Sequence, residues 1–185
     1  MVKAGWVASI TWSVFSINKK KYFNILYKET RMSNNNSFVK QTMTIKSPQE
    51  VVFKALTQAD ELMRWFPTRV ESDPRPGGKF KFAWEFANAN ENGSQEGEYV
   101  EVVPNKKLSY TWTAESIPTL VTINLSETNG ETTIDLDHSS VQDGADGKKL
   151  HEMHANQWGF FLMNLKSYLE AGMDLRKEKL NQITI

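Results

Sequence analysis

The sequence predicts an α+β domain in which antiparallel strands wrap around one long C-terminal helix. Three observations predict it. Leu150, Trp158, Phe161, Leu162, Leu165 and Leu169, with His154 among them, recur at three- and four-residue spacing over 148–171, which puts them on one stripe of a helix. Between Phe38 and Ser139, short runs alternate apolar and polar residues in the manner of half-buried strands. Helical signals interrupt those runs only after the first of them, so helices and strands are segregated along the chain rather than alternating.

Taken in order, residues 38–45 read as the first strand. Ser47-Pro48-Gln49-Glu50 then carries the parts of a capping box, with Ser47 as N-cap, Pro48 at the first helical position and Glu50 at the third. Val51, Val52, Ala55 and Leu56 make the apolar face of the short helix that follows. A second short helix is expected over about 60–65, and Pro67 ends it by disfavouring helical backbone in the residue before it. Asp73-Pro74-Arg75-Pro76-Gly77-Gly78 is a tight turn. Residues 79–86 alternate strictly, Phe80, Phe82, Trp84 and Phe86 on one face and Lys79, Lys81 and Glu85 on the other. A polar loop at 88–94 precedes strands at 96–103, 108–114, 120–127 and 132–139, with Pro104-Asn105-Lys106-Lys107 as one turn and Asn129-Gly130 as a hairpin turn. Asp146 is the expected cap of the last helix, and Gly172 sits where a left-handed C-terminal cap belongs.

The first 31 residues do not fit this pattern. Trp6 to Ile17 is an apolar run of 12 residues followed by Lys19-Lys20-Lys21. It is shorter than the ~20 residues a membrane span needs, and its lysines lie on the wrong side for a signal peptide. A disordered extension or over-called start, a membrane-surface anchor and a targeting signal are the readings left open, the first being preferred. The expected organisation is therefore an extension at 1–36, one domain at 37–172 and a charged, loose tail at 173–185, with no stable membrane insertion.

Composition removes several functions. There is no cysteine, so disulfides, thiolate nucleophiles and cysteine zinc sites are absent, and a reducing, cytoplasmic setting is expected. Residues 1–31 hold six basic side chains against one acidic, which leaves 16 basic against 21 acidic in the remainder. A mildly acidic domain is a poor nucleic-acid binder, so the aromatic and lysine alternation of 79–86 reads as a core face and a solvent face. Gly78-Lys79 lacks the other residues of a phosphate loop. His151-Glu152-Met153-His154 is one residue short of the zincin pattern, and Gly93-Ser94-Gln95-Glu96-Gly97 is one too long for a nucleophile elbow. No metal, cofactor or catalytic motif is read from the chain.

Several short motifs stand in a specific order: Ser47-Pro48-Gln49-Glu50-Val51-Val52 with Ala55-Leu56-Thr57; Leu62 through Trp65-Phe66; Asp73-Pro74-Arg75-Pro76-Gly77-Gly78-Lys79-Phe80; Gly97 with Glu101-Val102-Val103-Pro104; Leu108-Ser109-Tyr110-Thr111-Trp112; Leu136-Asp137-His138-Ser139; and Trp158 with Leu165-Lys166-Ser167-Tyr168-Leu169. In order and spacing they resemble the START-like (SRPBCC) superfamily, and within it the homologues of the activator of the heat-shock protein 90 ATPase. The resemblance spans about 39–171. It implies the helix-grip fold, a sheet curved around the last helix with a cavity that often holds apolar molecules, and it carries no fixed catalytic motif.

Strand parity names the side chains expected to face such a cavity. Ile134 and Leu136 place His138 inward, as a polar anchor, a core histidine or an acid–base group. Glu98 follows Val100 and Val102 inward on one count, while Tyr99 and Val103 define the competing face. The expected ligand wall is Trp65, Phe80, Phe82, Trp84, Tyr110, Trp112, Trp158 and Phe161, with Glu98 and His138 as its polar members. The first functional expectation is binding of a small apolar or amphipathic molecule, lipid- or polyketide-like, without catalysis. A protein-interaction module for a chaperone ATPase and a cyclase- or hydrolase-type enzyme using His138 are the alternatives.

Overall fold

The structure, a computed structural model, describes residues 37–85, 92–114, 117–140 and 147–176. The extension read over 1–36, Phe86, most of the 88–94 loop and the cap Asp146 lie outside them. The described elements are β1 (Ser37–Ile45), α1 (Gln49–Thr57), α2 (Ala59–Leu62), β2 (Arg69–Ser72), β3 (Lys79–Trp84), β4 (Gly93–Val103), β5 (Lys107–Ala114), β6 (Ile117–Thr128), β7 (Glu131–Ser140) and α3 (Gly147–Ala171). The strands form one sheet in the order β1-β7-β6-β5-β4-β3-β2, every pair antiparallel.

Local chemistry explains the regular parts. Asn129 and Gly130 both adopt positive φ (54° and 79°), the backbone a two-residue hairpin needs to follow strand twist, and β6 and β7 pair continuously from Thr128↔Glu131 to Thr119↔Ser140. Gly97 is required by a close approach: a Cβ there would lie 2.4 Å from both the Phe80 ring and the Thr111 carbonyl oxygen.

The sheet curls around α3. The carboxamide of Gln41 in β1 donates to the Ala155 carbonyl at 2.7 Å, while the Phe161 ring meets Trp84 of β3 with centroids 6.1 Å apart. β1 and β3 stand first and sixth in the sheet. In a flat sheet they would be about 24 Å apart, five spacings of ~4.8 Å, twice the ~10–12 Å diameter of a helix. One helix touches both only because the strands bend towards it. This is the helix-grip arrangement expected from the sequence. Trp158, Leu162 and Leu165 of α3 are buried against Tyr99, Leu108, Tyr110, Ile123 and Leu136 of the sheet, and Val52, Ala55, Leu56 and Leu62 of the two short helices complete the core.

Three local expectations are corrected. The capping box does not form: α1 starts at Gln49, Pro48 stands at the cap, and no side chain caps it. A carboxylate from across the fold replaces it, Glu127 accepting the Gln49 N–H at 2.7 Å, where the positive end of the helix favours an anion. Glu50 pairs with Lys54 one turn on, and the buried Ser47 instead offers its carbonyl to the Thr132 hydroxyl. Second, the edge strand β2 carries no signal in the sequence, because its four residues contain one apolar side chain. Third, residues 174–176 do not hang loose after Gly172, as the buried Arg176 shows below.

Candidate functional site

Between sheet and helix lies a small void. Leu56, Leu62, Trp65, Phe66, Phe82, Tyr99, Leu108, Tyr110, Ile123, Leu136, Trp158 and Leu162 line it, and the space open to the centre of a water-sized sphere is about 10 Å³. Space of that size admits about one water molecule, so this void is nearly filled by the side chains that line it.

The filling is aromatic and radiates from one residue. Phe66 meets six other rings, from Phe161 at 4.6 Å and Trp65 at 5.1 Å to Trp112 at 6.5 Å between centroids. Trp84, Trp112 and Phe161 are half-buried, so the cluster runs continuously from the void to the surface. The backbone that carries Phe66 is pinned by its carbonyls. Asn164 Nδ2 donates to Trp65 O at 2.6 Å, and Arg176 donates to Met63 O, Phe66 O and Pro67 O at 2.8–3.0 Å. Arg176 is only 4% exposed and is neutralised by Asp174 at 2.8 Å. Burial pushes the Asp174 carboxyl up, but hydrogen bonds from Arg176 and Asn164 and the guanidinium charge outweigh it and hold the group below the usual carboxylate range. The clamp escaped sequence reading because Asp174 and Arg176 sit among charged residues without period.

His138 is fully buried and held at both ring nitrogens. Trp158 Nε1–H, which can only donate, points at Nδ1 from 3.0 Å. Nδ1 is therefore the acceptor, and Nε2 carries the proton towards Thr119 Oγ1 at 2.8 Å. The Thr119 hydroxyl passes its own proton to the Trp112 carbonyl, also at 2.8 Å. Every donor in this chain has an acceptor when the imidazole is neutral. Burial, and then the nearby His154 whose ring lies 5.2 Å away, lower the His138 pKa to about 3. A histidine so placed orients α3; it has no lone pair left for a substrate proton.

The proton-transfer pair considered from the sequence does not assemble. A one-residue bulge between Tyr99 and Glu101 resets the parity of β4, so that Tyr99 and Val102 both face the core. Glu98 is thereby left on the outer face, opposite the exposed Lys79 and beside the Lys81–Glu96 ion pair. Of the other expected wall residues, Trp65, Phe82, Tyr110 and Trp158 border the void, Trp84, Trp112 and Phe161 form the surface-reaching cluster, and Phe80 packs behind them against Phe82. Phe66 and Tyr99 belong to the wall and were not counted in it. Among the described residues no group of three potential metal ligands comes together, and no helix is long and apolar enough to cross a membrane. The side chains of His151 and Glu152 lie outside the described set.

Comparison with known proteins places this geometry. A family model described as Activator of Hsp90 ATPase homolog 1-like protein matches residues 46–170. Similar solved structures include an Aha1 dimer from Colwellia psychrerythraea (TM-score 0.60, 22% identity, covering 72% of this chain and 96% of that one). A protein in the dynemicin biosynthetic locus is similar at TM-score 0.61 and 22% identity, over 72% of this chain and 47% of that one. An HSP90 activator from Plasmodium falciparum is similar at TM-score 0.56 and 26% identity, over 71% of this chain and 94% of that one. A search of curated proteins finds no match.

The neutral, buried His138 predicts a pH dependence of stability. Its folded pKa lies below the ~6.5 of an unfolded histidine, so on acidification the unfolded chain takes up the proton first. Stability should fall as pH drops below about 6.5, by up to ~1.4 kcal/mol per pH unit, until the folded-state value near 3 is reached. Urea titrations at pH 7, 6 and 5 should show this slope in the wild type and its loss in His138→Gln; an unchanged slope in the variant would assign it to other groups.

Proposed function

We propose that this chain, which belongs to the family of Activator of Hsp90 ATPase homolog 1-like proteins, binds an apolar or amphipathic small molecule between its sheet and its C-terminal helix. The observation that carries the reading is the aromatic cluster around Phe66, uncharged and continuous from the void to the half-buried Trp84, Trp112 and Phe161. Ligand sites are lined in this way, with few polar groups, but they hold ~300–1,000 Å³, far more than the void offers. Binding therefore displaces side chains of the cluster, and Phe66 is the one whose departure joins void to surface. A bound ring system of two fused rings would bury on the order of 200 Å² and gain ~5 kcal/mol before that displacement is subtracted. The occurrence of one similar fold in a biosynthetic locus, that of dynemicin, supports a small-molecule role. His138, engaged at both nitrogens, gives the reading no catalytic component.

Titration with the neutral probe N-phenyl-1-naphthylamine, followed by tryptophan fluorescence, tests it. The wild type should bind one probe per chain, and Phe66→Ala should bind it about tenfold tighter, since the plug is gone. If the folded variant binds no better than the wild type, and native mass spectrometry finds both bare, the interior is a filled core and the proposal fails.

A second reading, docking to a chaperone ATPase, is supported by the family description, by the Plasmodium relative named as an HSP90 activator, and by Phe160 (39% exposed) and Met163 (49% exposed) on the outer side of α3. Apolar side chains so exposed suit a partner surface. On this reading Phe160→Glu with Met163→Glu abolishes co-sedimentation with the chaperone while leaving probe binding intact; co-sedimentation unaffected by the double variant would remove this surface from consideration.

A further inference from the structure

The polar atoms of the void decide what kind of molecule it takes. Twelve side chains line it, and none carries a charge. Four of them bear a polar atom. The Trp65 indole N–H donates to Ala55 O at 2.8 Å, and the Trp158 N–H to His138 Nδ1 at 3.0 Å. The Tyr99 hydroxyl lies 2.8 Å from Ser72 Oγ. The Tyr110 hydroxyl, on a residue 5% exposed, makes no hydrogen bond with any described residue. A phenol with no partner on a nearly buried residue keeps its hydrogen-bonding capacity open to a ligand. One water would fit the void, but buried waters are held by two to four polar groups, and this lining offers a single uncommitted one.

We propose that Tyr110 is the polar anchor of the site, donating its hydroxyl proton to an acceptor oxygen of an uncharged, largely apolar ligand such as an aromatic ketone, ester or ether. The inference rests on the small-molecule reading above and narrows it to a ligand class. Its charge requirement follows from the same inventory. No cation faces the void to neutralise a carboxylate, no anion to receive an amine, and an ion moved there from water would lose its hydration without replacement. The tyrosines obey the same constraint: burial raises the Tyr110 phenol above its ordinary range, with Tyr99 beside it adding to the effect, and pushes Tyr99 up to about 12. Both stay protonated and able to donate at any physiological pH. A carboxylate placed inside the void is disfavoured, whereas a neutral ring system with one carbonyl is admitted.

Three probes of one shape separate the possibilities: 2-acetylnaphthalene, 2-isopropylnaphthalene and 2-naphthoate, titrated into the full chain and into Tyr110→Phe by calorimetry. The readout is the ratio of ketone to hydrocarbon affinity in each protein, because the hydration of the probes cancels between them. The ratio should be roughly three- to tenfold larger in the wild type than in Tyr110→Phe, the effect of one hydrogen bond. The hydrocarbon should bind both proteins alike, and naphthoate should bind at least a hundredfold more weakly than the ketone. Equal ratios in the two proteins, or naphthoate binding as tightly as the ketone, overturn the anchor and the ligand class while leaving a working cavity. Failure of all three probes to bind either protein removes the cavity reading itself.

Discussion

The rest of the structure depends on one geometric demand: a single helix has to satisfy a seven-stranded sheet from its first strand to its sixth. The strands bend to meet it, and side chains of sheet and helix fill the concave space that results. Large flat side chains close the gap, which is why Trp84, Trp112, Trp158, Phe66 and Phe161 converge there. The rotation of the helix is fixed by a directional bond as well as by packing. Trp158 reaches a histidine whose opposite nitrogen is tied to the sheet through Thr119, and the chain of donors closes only in one tautomer. Turning α3 by one residue would strand a buried indole N–H and a buried imidazole nitrogen together.

Legibility in the sequence followed the range of the interaction. Period and turn chemistry are local, so the strands other than β2, the Asn129-Gly130 hairpin and the buried stripe of Trp158, Leu162 and Leu165 on α3 stand where the residues say they should. What the sequence hid was settled by partners far away. Ser47 reads as a cap, yet the Gln49 N–H is taken by Glu127, 78 residues on. Glu98 reads as inward or outward according to which neighbour is trusted, and the bulge after Tyr99 decides for outward, carrying Tyr99 into the core instead. Arg176 reads as one charge in a charged tail; it is a buried clamp because three carbonyls more than a hundred residues away happen to point at it. In the candidate site the aromatic residues were recognisable from alternation, whereas the commitment of His138 at both nitrogens was not, since neither Thr119 nor Trp158 is its neighbour in sequence.

Function in this architecture turns on how the interior is closed. The cluster around Phe66 is closed by ring contacts among described residues. Phe66 is kept inward by ring contacts, by the Trp84 indole and Arg176 on its carbonyl, and by Asn164 on the carbonyl of Trp65 before it. These hydrogen bonds hold the chain around Phe66 rather than the ring itself, and on the proposed reading a ligand ring takes the place of the Phe66 ring in the cluster. The buried tyrosines set the complementary limit. They leave the space polar enough for one hydrogen bond and too dry for a charge.

The central claim is that the interior, not the surface, receives the ligand. Its most direct test is nuclear magnetic resonance of the 15N- and methyl-labelled chain titrated with 2-acetylnaphthalene. The account predicts saturable shifts at the indole N–H signals of Trp65 and Trp158 and at the methyls of Ile123 and Leu162, which line the void. Shifts confined to exposed groups such as Met63 and Met163, with those interior signals unmoved, would contradict it.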